Sequence, residues 1–132
     1  MSAELDVEQH LNLALRCLEE GKKLVDEDPI QASEKLYKAS EEVVKALACR
    51  FTLGDVLERV GKRGRWTVTE LEKAVGAISR KHGRWFGAAW DRANYLYALG
   101  FHEAKLDSED VKERLPDVER MVLEARRIVG GG

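Results

Sequence analysis

Residues 85–106 read WFGAAWDRANYLYALGFHEAKL, and their periodicity decides the fold. Stepped at about 100° per residue, Phe86, Trp90, Ala93, Tyr97, Phe101 and Ala104 fall on one apolar stripe. A second stripe, rotated by about 100°, carries Asp91, Tyr95, Ala98, His102 and Lys105. The spacing predicts one long helix over 85–106 whose first face packs in a core. The second face is the only place in the chain where a histidine lines up with an acid, a phenol and an amine.

Outward from this helix the same period recurs. Asp6 with Gln9 reads as a capping box opening a first helix over 6–27. Asp28 followed by Pro29 is a restart signal, N-cap then first-turn proline, for a helix over 29–51. Its stripe is Ile30, Ser33, Tyr37, Ser40, Val44, Leu47 and Phe51, and a joint of a couple of residues makes the two helices antiparallel. Residues 55–60 are read as a turn of helix and 61–65 as a loop. Thr67 and Glu70 form a second capping box for a helix to about Arg80, and Gly83 separates it from the long helix. Asp107 and Ser108 cap a last element with the stripe Val111, Leu115, Val118, Val122, Ala125 and Val129. Pro116 is expected to kink or split that element at Leu115. No two-residue alternation bounded by turns occurs, so the fold class is all-α, an up-and-down bundle of four to five helices. The core is expected from Val44, Leu47, Phe86, Trp90, Tyr97, Phe101, Val118 and Val122.

The chain has 132 residues, 44% hydrophobic and 35% charged. That bounds it to one globular domain over 1–129 with a frayed glycine tail at 130–132. No apolar run approaches ~18 residues and the first ten residues are acidic and polar, so a cytoplasmic location is expected. Asn and Gln total four against 46 charged residues, a bias that points toward heat adaptation. The net charge of −2 is unevenly spread: −5 over residues 1–49, +5 over 50–92 and −2 over 93–132. The positive middle third is a candidate phosphate-facing surface.

Several chemistries fail on spacing. Gly61-Lys62 has Arg63 where a phosphate-binding loop needs Ser or Thr, and residue 56 is Val. His102-Glu103 begins a zinc-helix pattern, but residue 106 is Leu. With His10, His82 and His102 the only histidines, neither a metal site nor any cofactor is expected. His10 reads as an exposed first-turn residue and His82 as a surface residue favouring a helix C-terminus. In the antiparallel hairpin Cys17 lies about 15 Å from Cys49, too far for a disulfide, so both are read as reduced core residues. Basic residues do neighbour aromatics: Arg59, Lys62, Arg63 and Arg65 beside Trp66, and Arg80, Lys81 and Arg84 beside Trp85 and Phe86. Such clusters hold phosphates. Trp66 and Trp90 read as core, while Trp85 reads equally well as core or as a stacking platform.

The segments ASEKLYKASEEVVKALA (32–48), KRGRWTVTELEKAV (62–75) and WDRANYLYALGFHEAKL (90–106) resemble, in the right order, archaeal PaREP-type proteins. Those in turn resemble the HEPN superfamily, helical bundles that commonly dimerise. The resemblance implies one of three roles: a metal-independent ribonuclease of toxin–antitoxin or defence systems, a non-catalytic partner of a small nucleotidyltransferase, or a nucleotide-binding module. The ribonucleases carry an arginine, four to six residues, then a histidine. Here those positions before His102 are Tyr95, Leu96 and Tyr97, and the nearest upstream arginine is Arg92. On a continuous helix Arg92 and His102 would stand about 15 Å apart along the axis, rotated by roughly 80°. They share a phosphodiester only if a two-fold axis brings them together from two subunits.

The expectation is therefore a homodimeric HEPN-like module that binds RNA or a nucleotide without cleaving it. Its working surface combines Asp91, Tyr95 and His102 with Arg59, Lys62, Arg63, Arg65 and Arg84. The alternatives are a degenerate ribonuclease using His102 and Arg92 across a dimer, and a purely structural partner of a small nucleotidyltransferase. His102 itself is expected to hydrogen-bond a carboxylate such as Glu103.

Overall fold

The computed structural model describes residues 3–130, with side chains from Asp6 onward. Among them are six α-helices and one π-helical segment, and no strand. The helices are α1 (Ala3–Leu24), α2 (Pro29–Arg50), α3 (Gly54–Arg63), α4 (Val68–His82), α5 (Arg84–Tyr95) and α6 (Ser108–Val129), with the π segment at Leu96–His102. The all-α class stands. The helix count exceeds expectation because residues 54–63 form a full helix, closed by Gly64 at φ 75° in the left-handed conformation that glycine permits. Lys62 and Arg63 thus sit on a helix, not in a loop.

The N-terminal hairpin follows its signals, with shifted ends. Asp6 lies inside α1 rather than capping it, and the joint is residues 25–28. Asp28 accepts from the Gln31 amide at 3.1 Å, with Pro29 in the first turn. At the crossing, a Cβ on Gly21 would stand 2.8 Å from Leu36 Cδ2, so glycine lets the two helices approach. α2 is the central helix and touches every other element. Its face of Leu36, Val43, Val44 and Leu47 is fully buried, and Phe86, Trp90, Val118 and Val122 close the core around it. Tyr97 and Phe101 are only half-buried, and Ile30 is exposed.

Pro116 neither splits nor ends α6. It faces solvent, as does Lys112, whose carbonyl loses its intrahelical partner to the proline and can bond water instead. The expected capping box at Thr67 closes, and Asp107, expected as a cap, forms a box with Asp110. Of the glycine tail, Gly130 caps α6, and Gly131 and Gly132 lie outside the described residues.

The decisive stretch does not form one helix. α5 ends at Tyr95, the wider π turn follows, and the chain leaves helix at His102. Glu103 N–H donates to Ala98 O and Lys105 N–H to Leu99 O, while Ala104 takes φ 54°. Two local features accompany this change. Asn94 Nδ2 donates to Trp90 O at 2.9 Å, putting a side-chain donor into the helical ladder just before the register widens. Gly100 then presses backbone onto α2: a Cβ there would meet Ser33 Oγ at 2.2 Å and Ser33 Cβ at 2.6 Å.

Candidate functional site

The π turn rearranges the face expected to carry chemistry. In an α-helix Tyr97 and His102 would be separated by about 140° around the axis. In a π turn residues five apart are hydrogen-bonding neighbours, and the two rings meet at 4.4 Å, edge to face. His102 therefore joins the aromatic stripe. Tyr97 stacks on Tyr37 of α2 at 4.1 Å, Phe101 lies 5.8 Å from Tyr97, and Tyr37 lies 5.7 Å from Trp90. The result is an aromatic ladder running from the core out to exposed His102. Among the described residues His102 makes no hydrogen bond to Glu103 or any other carboxylate, contrary to expectation; Glu103 is the partner of Lys105 instead. Burial, with the carboxylates of Glu41 and Glu72 nearby, pushes the Tyr37 hydroxyl far above its ordinary pKa. Trp90 Nε1 donates to Glu72, so this inner part of the ladder is a satisfied core.

The other members of the expected site turn toward α6. Arg92 Nε pairs with Asp117 at 2.7 Å and its Nη2 donates to Glu113 O at 3.3 Å. Tyr95 lies under the Arg114 guanidinium at 4.4 Å. Asp91 is exposed. So Arg92 and Tyr95 face α6, whereas the Tyr97–His102 pair packs onto α2. Within one chain Arg92 is engaged by α6 while the His102 ring lies against Tyr97.

The bases from Arg59 to Arg65 do not reach this face. α3 touches only α2 and α4, and no Cα of α3 comes within 8 Å of the π segment. Arg63 stands 3.6 Å from Glu70, which is fully enclosed and receives the Thr67 amide at 3.1 Å. The Thr67 hydroxyl holds the Glu70 carboxyl below the usual range, with Thr67's amide and the Arg63 and Arg59 charges adding to it against desolvation. Lys62 pairs with Glu58 at 3.1 Å. Arg59 and Arg65 are exposed. A cleft of about 610 Å³ between α3 and α4 is lined by Lys73 and Arg80, balanced by Asp55 and Glu72.

The second group of bases, Arg80, Lys81 and Arg84, lies at the opposite end of α4 from Arg63. There the His82 ring stacks on Phe51 at 5.1 Å and Lys81 Nζ sits 5.5 Å from the Phe51 ring. Trp85 Nε1 donates to His82 O at 2.8 Å, and Arg120 of α6 lies 4.0 Å over the Trp85 ring. Trp85 is half-buried, a platform already covered on one face. Arg120 and Phe51 were invisible as members of this cluster because they come from distant elements.

His10 is also not the solitary surface residue expected. It lies well inside α1, and its Nδ1 meets Glu42 Oε1 at 2.7 Å. Cys17 and Cys49 are free, and burial raises both thiols, so neither is an activated nucleophile. Among the described residues, no three His, Cys, Asp or Glu side chains converge as an ion would need. No helix among them is long and apolar enough to cross a membrane.

No curated protein matches this chain. A crystal structure of a structural-genomics target protein from Sulfolobus solfataricus superposes with a TM-score of 0.81 at 32% identity, covering 87% of this chain and 94% of that one. A solution structure of the same target gives 0.77 at 34% identity, covering 87% and 89%. The sequence profile of the archaeal PaREP1/PaREP8 family matches residues 9–122. With that span and those likenesses, the chain belongs to the archaeal PaREP1/PaREP8 family.

Proposed function

We propose that this protein is an HEPN-like, non-catalytic module that binds RNA or a nucleotide through its phosphates, working as a cytoplasmic homodimer. Uncommitted positive charge is the observation that carries this reading. Residues 50–92 hold ten cations, of which Lys62, Arg63 and Arg92 have a carboxylate within 4.0 Å. Arg50, Arg59, Arg65, Lys73, Arg80, Lys81 and Arg84 have none among the described residues. Of the twelve cations elsewhere, Lys22, Lys35, Lys45, Lys105, Lys112, Arg114 and Arg127 are paired among the described residues, so the middle third keeps the larger share of idle charge. Charges left idle in an acidic protein attract a polyanion, which sheds its counterions on binding.

Against catalysis in one chain stands the commitment of Arg92 to Asp117, which leaves His102 without a nearby guanidinium of its own helix to stabilise a phosphate transition state. Binding of a labelled single-stranded RNA should therefore weaken steeply with salt, while the RNA stays intact. Cleavage by the purified protein that His102→Ala abolishes would replace this reading with the dimer-assembled ribonuclease. Binding indifferent to salt, or none, would leave the structural-partner role for a small nucleotidyltransferase.

A further inference from the structure

Resting on the phosphate-binding reading, we propose that the backbone of a single-stranded nucleic acid docks where α2, α4, α5 and α6 meet, on Lys81, Arg84 and Arg120 around Trp85. The members of this end touch one another in sequence: Lys81 over Phe51, Phe51 against His82, His82 O to Trp85, and Trp85 beneath Arg120. Lys81 and Arg120 are tied together by this chain of contacts, and Arg84 immediately precedes Trp85 at the start of α5.

Helix ends explain part of this charge. Arg80 and Lys81 lie in the last turn of α4 and Arg50 in the last turn of α2, where the dipole favours cations. Arg84 has no such explanation. It opens α5, where the dipole disfavours a cation. Gly83 supplies no side-chain cap, and the first turn holds no acid. Arg120 sits in mid-helix, away from either end of α6. Arg84 alone breaks a local electrostatic preference without a compensating partner, as expected of a residue serving something outside the fold.

The chemistry favours phosphates. Two of the three cations are guanidiniums, whose planar fork matches a pair of phosphate oxygens. Arg120 is already held over the Trp85 ring at 4.0 Å, so less of its freedom is lost on binding. Because Arg120 covers a face of the indole, the platform grips the strand by its backbone, without regard to base. Phe51 and Trp85 are half-buried beneath their cations, and Leu123 beside Arg120 is the single large exposed apolar side chain at this end, too little to anchor a protein partner or a bilayer.

The test is fluorescence anisotropy with a labelled oligouridylate, using wild type, Arg84→Glu, Arg120→Gln and a control pair on exposed α1 positions outside the basic middle third, Arg16→Glu with Lys23→Glu. Arg84→Glu should raise Kd at least tenfold and flatten the log–log salt slope by about 0.7 for each phosphate that is no longer neutralised. Its melting temperature should stay level or rise, because a carboxylate suits the start of α5. Arg120→Gln should weaken binding in the same direction, and the control pair should bind nearly as wild type does. Wild-type affinity in Arg84→Glu overturns the proposal. Loss of binding confined to the control pair overturns the placement and leaves RNA binding intact. Wild type that ignores the RNA but takes up polyaspartate overturns both.

Discussion

The α1–α2 hairpin and the α5–π segment are written in the same kind of sequence, apolar residues at helical spacing with one glycine at a close crossing, yet only the hairpin keeps its period. In the hairpin the crossing glycine, Gly21, meets the tip of Leu36, and the helices simply approach. In the π segment Gly100 meets Ser33 Oγ and Cβ, atoms with little or no freedom to retreat. Ser33 is also committed, donating to Pro29 O at 2.8 Å. Periodicity reports which face is apolar; it is silent on how near two backbones must come. Where the approach is closest, the ladder widens and the stripe changes composition.

The strongest way to break the comparison is at Gly100. Gly100→Ala places a Cβ where Ser33 stands, and overpacking of this kind costs about 3 kcal/mol. Ser33→Gly in the same chain should return a good part of that loss, a coupling that denaturant unfolding of the four chains measures. If Gly100→Ala is as stable as wild type, the close crossing is not what sets the π turn.

A smaller effect separates the two regions by pH. Glu42 is buried between the hairpin helices. Desolvation alone would raise its carboxyl, but the hydrogen bond from His10 and the charge of Lys45 outweigh it and hold the group below its ordinary range. The folded pKa lies below the unfolded value of about 4.3, so this stability is complete above roughly pH 5. It is lost as pH falls through the folded pKa. His10→Ala should cost about 1 kcal/mol at pH 6 and flatten the decline of unfolding free energy between pH 5 and 3. His102→Ala, on the π segment, should leave that decline unchanged. Parallel acid curves for wild type and His10→Ala would remove the pair from the account.

These contrasts mark how far the sequence could be read. Asp28-Pro29, the Thr67–Glu70 box and Asp107 each act within four residues, and all of them govern helix starts as expected. Buried Phe86, Trp90, Val118 and Val122 followed from a period of 3.6. Long-range events were not legible. The meeting of His10 with Glu42 spans 32 positions and Arg120 with Trp85 spans 35, and neither residue pair carries a local pattern. The site suffered most, because its members were grouped by stripe. Shifting the register by a π turn moved His102 to Tyr97 and left Tyr95 and Arg92 facing α6, while Arg59 to Arg63 lie on α3 and Arg65 just beyond it.

The mildest substitution sharpens the comparison best. Gly21→Ala gains about 1 kcal/mol of helix propensity. Against this, its Cβ would lie 2.8 Å from Leu36 Cδ2 and 2.9 Å from Leu36 Cγ. Leu36 is fully buried, but a small rotation about χ2 moves the nearer terminal methyl aside and a small change in χ1 moves Cγ. The two terms nearly cancel, and a net loss of about 0.5 kcal/mol is expected from chemical denaturation. A loss equal to that of Gly100→Ala would mean that crossing distance alone governs both sites. Then the difference between a yielding side chain and an unyielding one would not explain why α1 stays regular while the chain after Tyr95 does not.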